Sequence, residues 1–219
     1  NTAYDMVNFK PIPHTPEHYF TYKTSYDYNA NANCPVFDKS LWDYSMHDDE
    51  WIKCFWEIAG YVMTGDLPFQ KMFWFTGSTG RNGKGTVLRV FQRLVGELFS
   101  FPDIDPRKFA EKFFLYNLIG KRLATTGDMH NRLANVATLK SITGGDQQVA
   151  DKKFGNMHTF TNKAKIIYAM NQMPIMPDNE PIDPVRKRVV LLPFKYSIPD
   201  NAADSDIEKK FDAELSEIG

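Results

Sequence analysis

The 219-residue sequence predicts an α/β sheet core built around a phosphate-binding loop. Three observations carry the prediction. A glycine-rich stretch, Gly77-Ser78-Thr79-Gly80-Arg81-Asn82-Gly83-Lys84-Gly85-Thr86, lies between a short apolar run and an amphipathic one. Strand-like and helix-like runs alternate after it. Apolar side chains make up 42% of the chain, enough to bury one sizeable core with a small appendage.

The run Met72-Phe73-Trp74-Phe75-Thr76 reads as a buried strand, being compact, aromatic and closed by glycine. The run 87–95 reads as an amphipathic helix. Val87, Val90, Phe91, Leu94 and Val95 share one side, and Arg89, Gln92 and Arg93 the other. Strand, glycine turn, Gly-Lys and helix is the layout of a P-loop NTPase. Successive backbone N–H groups and the positive end of the helix point at an anion, and Lys84 reaches the outer phosphates. ATP is therefore the expected ligand, cradled by residues 77–86. The strict pattern fails at Ser78, where it has glycine, and at Gly85, where it has Ser or Thr. The magnesium-facing hydroxyl is then that of Thr86, or the Mg2+ is held through water. A glycine-rich turn with an exposed lysine is the plain alternative.

The bulk numbers narrow the classes further. An aromatic share of 14% argues against disorder. Cys34 and Cys54 form neither a metal pattern nor a disulfide framework, so a reducing compartment, the cytoplasm, is expected. The sequence has no apolar run long enough for a membrane span and no secretory leader. Asn1 is not a natural start and the chain stops in a helix-like run, so a piece of a longer polypeptide is expected. Net charge is −1, but it is unevenly spread: −6 over residues 1–70, +9 over 71–200 and −4 over the last 19. The positive excess sits on the segment that holds the loop, as a polyanion-handling segment would require. A solvated lysine-rich face gives the same pattern.

In chain order, residues 1–47 are rich in Asn, Pro and Tyr and read as short extended pieces and loops, with a strand at 18–23. Asp48-Asp49-Glu50 opens a helix to about Met63, whose stripe of Trp51, Phe55, Ile58, Ala59 and Val62 is a packing surface. After the loop helix, 107–114 reads as a short helix. The segment 120–129 reads as a strand ending at Asp128. A carboxylate at a neighbouring strand end can hold the magnesium shell and orient or deprotonate water; a helix-capping Asp is the alternative. A helix at 133–142 is followed by a hairpin at 147–160. Lys152, Lys153 and Phe154 at its tip suit a phosphate backbone and a stacking base. Lys165–Met170 is the clearest strand, and Asn171 at its end can hold the attacking water or the outer phosphate. An irregular loop then leads to Arg186-Lys187-Arg188 and a last strand at 189–194. Arginines there can reach a nucleotide held by a neighbouring subunit. A charged helix is expected at 204–218.

Taken together, these motifs resemble the superfamily 3 helicase module of phage, plasmid and poxvirus primase-helicases. Gly80-Arg81-Asn82-Gly83-Lys84-Gly85-Thr86 is similar to that family's first motif, where Asn-Gly-Lys is usually followed by Gly-Thr or Ser-Thr. The segment from Gly120 to Asp128 resembles the second, although Gly127 and Met129 stand where paired acidic residues are frequent. Leu139-Lys140 with Thr143-Gly144-Gly145-Asp146 and the hairpin resembles the DNA-contacting motif. Ala169–Pro174 resembles the sensor strand, and 178–194 the arginine-finger segment. Cys34-Pro35 and Ala59-Gly60-Tyr61 resemble the small domain that precedes the ATPase.

The resemblance implies a modified AAA+ core with a small N-terminal domain. The division would be 1–67 for that domain, 68–200 for the core and 201–219 for the start of a C-terminal helical segment. It implies a homo-oligomeric ring, a hexamer, with ATP and Mg2+ between subunits and single-stranded DNA in the channel. Lys84 would bind phosphates, Thr86 and Asp128 the magnesium shell, and Asn171 the γ-phosphate or water. Arg188, or alternatively Arg186, would act in trans, and Lys140, Lys152, Lys153 and Phe154 would contact DNA. A primase or primase-polymerase upstream and the cytoplasm of a host cell belong to the same expectation. Two rivals stand beside it: an ATP-controlled DNA-binding or loader module, and a nucleotide kinase, whose loop also carries Gly-Lys-Gly-Thr.

Overall fold

The computed structural model describes residues 2–5, 8, 10–24, 26, 28–29, 31–178 and 180–215. The chain opens with an antiparallel ladder of β1 (Thr2–Asp5) and β2 (Lys10–Pro13). Helices α1 (Pro35–Tyr44) and α2 (Asp49–Met63) follow. Then come β3 (Met72–Thr76), α3 (Lys84–Val95), β4 (Ser100–Phe101), β5 (Leu123–Thr126) and α4 (Val136–Gly144). A hairpin of β6 (Gln147–Asp151) and β7 (Met157–Thr161) projects before β8 (Lys165–Met170). The short α5 (Asp183–Arg186), β9 (Val189–Pro193) and α6 (Ile207–Ala213) complete the chain.

Five strands form one sheet in the order β4-β5-β8-β3-β9, parallel throughout. Near-continuous apolar runs in β3 and β8 fit strands covered on both faces. Alternate residues serve opposite faces. Phe73, Phe75, Ile167, Ala169 and Leu192 join α1, α2, α3 and Phe211 in one core. Met72, Trp74, Ile166, Tyr168 and Met170 join Leu118, Leu139 and Ile142 in the other. Trp51 of α2 also donates its indole N–H to Pro193 O at 2.7 Å. Helix α6 is fastened to the loop helix, since Arg93 reaches Glu208 at 3.1 Å and Asp212 at 2.8 Å.

The structure differs from the sequence reading in several places. Residues 35–44 are helical: Pro35 sits at the first helical position, where its fixed φ and missing N–H are harmless. Phe37, Leu41 and Tyr44 are the buried stripe of that helix. Residues 18–23 form no strand, because Pro16 opens a 3-10 turn that Tyr19 ends with φ +49°. Tyr22 instead donates its hydroxyl to Val95 O at 2.9 Å. Residues 107–114 are turns, not an α-helix. Asp105 caps a 3-10 turn over Pro106–Lys108, and Phe113 at φ +73° interrupts any continuation. Helix α4 starts three residues late because Leu133 bonds to Ile175 O and Asn135 adopts φ +49°. The C-terminal helix spans 207–213; residues 216–218 of the expected helix lie outside the described residues.

Lys165, fully buried at the start of β8, donates to Thr64 O and faces the Tyr61 ring at 5.4 Å. Burial, with Arg122 nearby, lowers its pKa to about 8. Between that value and the ordinary lysine range the unfolded chain holds a proton that the folded chain has lost. Stability should therefore rise with pH across that window, by about 3 kcal/mol at most. Denaturant melts from pH 8 to 10 should show this slope in the wild type and a flatter one in Lys165→Met.

Among the described residues no helix is long and apolar enough to cross a membrane.

Candidate nucleotide site

The loop leaves β3 after Thr76 and re-enters helix at Lys84, so its backbone turns over the N-terminus of α3. Gly83, at φ +84°, makes the final turn; a Cβ there would also meet the Tyr44 ring at 2.7 Å. A Cβ on Gly77 would collide with the Phe194 carbonyl and stand 3.1 Å from Lys84 Nζ. Asn82 is buried and donates to Thr79 O at 2.6 Å, holding the loop closed on itself. Arg81 pairs with Asp200, and Ile198 N donates to Arg81 O at 2.9 Å, so the irregular segment after β9 straps the outside of the loop.

Lys84 is only 6% exposed. Its ammonium donates to Gly77 O at 2.9 Å and to Asn171 Oδ1 at 3.3 Å. Burial lowers its pKa, and the Asp128 carboxylate opposes that shift. Lys84, Asn171 and Asp128 thus share one electrostatic neighbourhood. The sequence placed Asp128 on a strand next to the loop strand. In the sheet β8 lies between them, so Asn171 is the nearer of the two polar groups. The two strand-end loops are tied together: Met129 N donates to Ala169 O and Ile175 N to Asn131 O, both at 2.8 Å. Between them opens a cleft of about 430 Å³ lined by Arg107, Asp128, Met129, His130, Asn131, Asn171 and Gln172.

The other nominated residues are more scattered. Thr86 accepts from Arg89 Nη2 at 3.4 Å. Gly85 leaves room, since a Cβ there would meet only the flexible Arg89 tip at 3.4 Å. Ser78, Thr79 and Gly80 form the exposed outer turn. Arg186 is exposed on α5, with Asp183 3.9 Å away. Arg188 is half-buried; its Nη1 donates to Pro184 O at 3.0 Å and its Nε is buried without a partner. Both precede β9, whose first residue Val189 is level with Met72, so they lie at the sheet end away from Gly77. Lys140 on α4 faces Glu180 at 3.6 Å. The hairpin tip stands clear, with Phe154 98% exposed, Lys153 Nζ over its ring at 5.3 Å and Lys152 over Tyr116 at 6.0 Å.

Sequence reasoning missed Tyr44 and Arg107. The helical spacing of Phe37, Leu41 and Tyr44 could have found the first. Nothing in the local sequence marked the second, which arrives in the cleft only through the strand order. Among the described residues no three His, Cys, Asp or Glu side chains gather as a metal cage. One carboxylate beside a phosphate cradle suits a magnesium ion that takes most of its ligands from phosphate and water.

Sheet order and loop together define an α/β fold of the P-loop, helicase-like type. The chain belongs to DUF5906, a family of unknown function that matches residues 75–188, from the loop strand through both arginines. No curated protein matches it. Among solved structures, the apo A form of the NrS-1 C-terminal region is similar with a TM-score of 0.70 at 14% identity, covering 91% of this chain and 47% of that one. A second apo structure of that region, residues 305–718, gives 0.66 at 13% identity and covers 99% and 51%. JCV helicase, bound to a thiazolopyridine compound, gives 0.51 at 12% identity and covers 85% and 52%. The chain thus spans about half the length of these structures, and at such identities the likeness is one of fold.

Proposed function

We propose that this chain is the ATPase module of a superfamily 3 DNA helicase or translocase, which hydrolyses ATP between subunits of a hexameric ring to move along single-stranded DNA. The observation that carries the reading is a separation of charge by the parallel sheet. Lys84, Asn171 and Asp128 gather at its C-terminal end, whereas Arg186 and Arg188 lie at the other end, roughly 16 Å away along β3. That distance puts their own loop out of reach, and in this reading they serve another subunit's. The likeness in fold to JCV helicase supports the same class.

In this reading ATP supplies the phosphoryl group and Mg2+ neutralises its charge. The loop N–H groups and Lys84 hold the phosphates, and Lys84 exchanges Gly77 O for them. Asn171 orients the attacking water or the γ-phosphate, and Asp128 takes the water's proton or holds the metal's water shell. Thr86 would add a hydroxyl to that shell once it leaves Arg89. The division at residues 67 and 200, an upstream primase or primase-polymerase and a cytoplasmic setting complete the proposal. The test is ATP turnover by this chain with and without single-stranded DNA, recorded alongside its mass in solution. Stimulated turnover from a ring-sized species is the expected result; turnover indifferent to DNA would overturn translocation.

The second reading, an ATP-controlled DNA-binding module, is favoured by one observation: among the described residues Asp128 is the sole carboxylate lining the cleft. Slow turnover with ATP-dependent DNA affinity would select it. In either reading the hairpin carries DNA. Lys152→Ala with Lys153→Ala should weaken single-stranded DNA binding and flatten its log–log salt slope by about 1.4. An unchanged slope in fluorescence anisotropy would return the hairpin to a solubilising turn.

A further inference from the structure

We propose that Arg107 is a further phosphate-contacting residue of the nucleotide cleft and that Asp105 positions it. The proposal rests on the nucleotide-site reading and adds a group to it. β4 runs parallel to β5, so the chain leaving it opens on the same sheet end as Gly77, Asp128 and Asn171. The Arg107 side chain lines the cleft together with Asp128 and Asn171, and half of it is exposed.

Its orientation is fixed from behind. Asp105 is buried, and its Oδ2 accepts from Arg107 Nε at 2.9 Å and from Nη2 at 2.6 Å. The same carboxylate accepts from Arg107 N at 2.9 Å, so it caps the turn and holds the guanidinium at once. This side-on clasp uses one edge of the planar fork; Nη1 makes no hydrogen bond among the described residues. Burial alone would raise the Asp105 carboxyl, but the hydrogen bonds from Arg107 hold it below its ordinary value. It therefore remains an anionic anchor. The neighbouring Lys108 is spoken for by Asp103. The cleft then carries Arg107 beside Asp128 and Asn171, and Asn171 in turn accepts from Lys84, an arrangement suited to a phosphate chain bearing one divalent ion. Arg107, being away from the loop, would meet the terminal phosphate.

The test is calorimetric titration of the full chain with magnesium AMP-PNP and with magnesium ADP, together with thermal melts. Arg107→Gln should weaken AMP-PNP binding by about tenfold and ADP binding by less than about twofold. Arg107→Lys should recover part of the loss, because charge returns without the fork. Asp105→Asn should show the same selective loss, smaller in size. Equal weakening for both nucleotides, or none for either, would overturn the assignment and leave a purely structural ion pair. A wild-type chain that binds neither nucleotide would instead overturn the nucleotide-site reading itself.

Discussion

Lys84→Ala is expected to abolish measurable ATP binding and to lower kcat/KM by at least about a thousandfold. The argument is geometric. The ammonium lies inside the loop, almost out of solvent, with its tip between Gly77 O and Asn171 Oδ1. A charge held in a site with little water interacts with phosphate far more strongly than a surface lysine does. The two oxygens that hold it are ones a phosphate oxygen can displace, and its lowered pKa records the energetic cost of confining the charge there. Binding an anion relieves that cost. Lys84→Arg should fail as well, since a broader planar fork would replace a compact ammonium that is buried and seated between two oxygens. Calorimetry and a coupled turnover assay measure both variants, and a thermal melt shows whether the fold survives. Undiminished turnover in a folded Lys84→Ala chain would remove the loop from the mechanism.

Much of this site was legible because its parts are local. Strand, turn and helix around 72–95 are consecutive, and the apolar period of each run marks its own element. Lys165–Met170 was legible for the same reason, being continuously apolar and ended by a polar residue. The hairpin was read from its glycine-bearing tip between two short runs, and it forms with the tip at 152–156. What stayed hidden depends on context. The helix at 35–44 hides within a segment that reads as loops, because proline is both a breaker and a good first helical residue, and only the buried stripe that follows Pro35 separates the two. The 107–114 stretch has helix-forming residues, but Asp105 and Asn135 bind the turn from outside, which no local propensity records. The strand order was invisible too. Sequence order places β5 before β8, whereas the sheet inserts β8 between β3 and β5 and so makes Asn171 the immediate neighbour of Lys84. That insertion also brings Arg107 to a cleft it could not have been assigned to from its neighbours in the chain.

The strand register makes an equally strong prediction about the arginines. Arg186→Ala should reduce turnover on the order of a thousandfold, as loss of an arginine acting in trans does elsewhere. Within the proposed mechanism, exposure makes Arg186 the better candidate than Arg188. Arg188 is half-buried with Nη1 committed to Pro184 O, so its replacement should chiefly lower the melting temperature. Arg186 is exposed, and its one ionic neighbour among the described residues is a distant, solvated Asp183, too weak a tie to hold it. Neither can reach its own loop along the length of β3. Mixing distinguishes a trans role from a local one. An Arg186→Ala subunit keeps an intact loop and Asp128, and an Asp128→Asn subunit keeps an intact arginine. Each alone should be inactive. In rings assembled at random from equal parts, about one quarter of the interfaces pair a sound loop with a sound arginine, and turnover should return to about that fraction of wild type. Activity in the mixture that stays at the level of the separate variants would sink the trans assignment. Arg188→Ala taken through the same mixing would then show whether the neighbouring arginine carries the role instead.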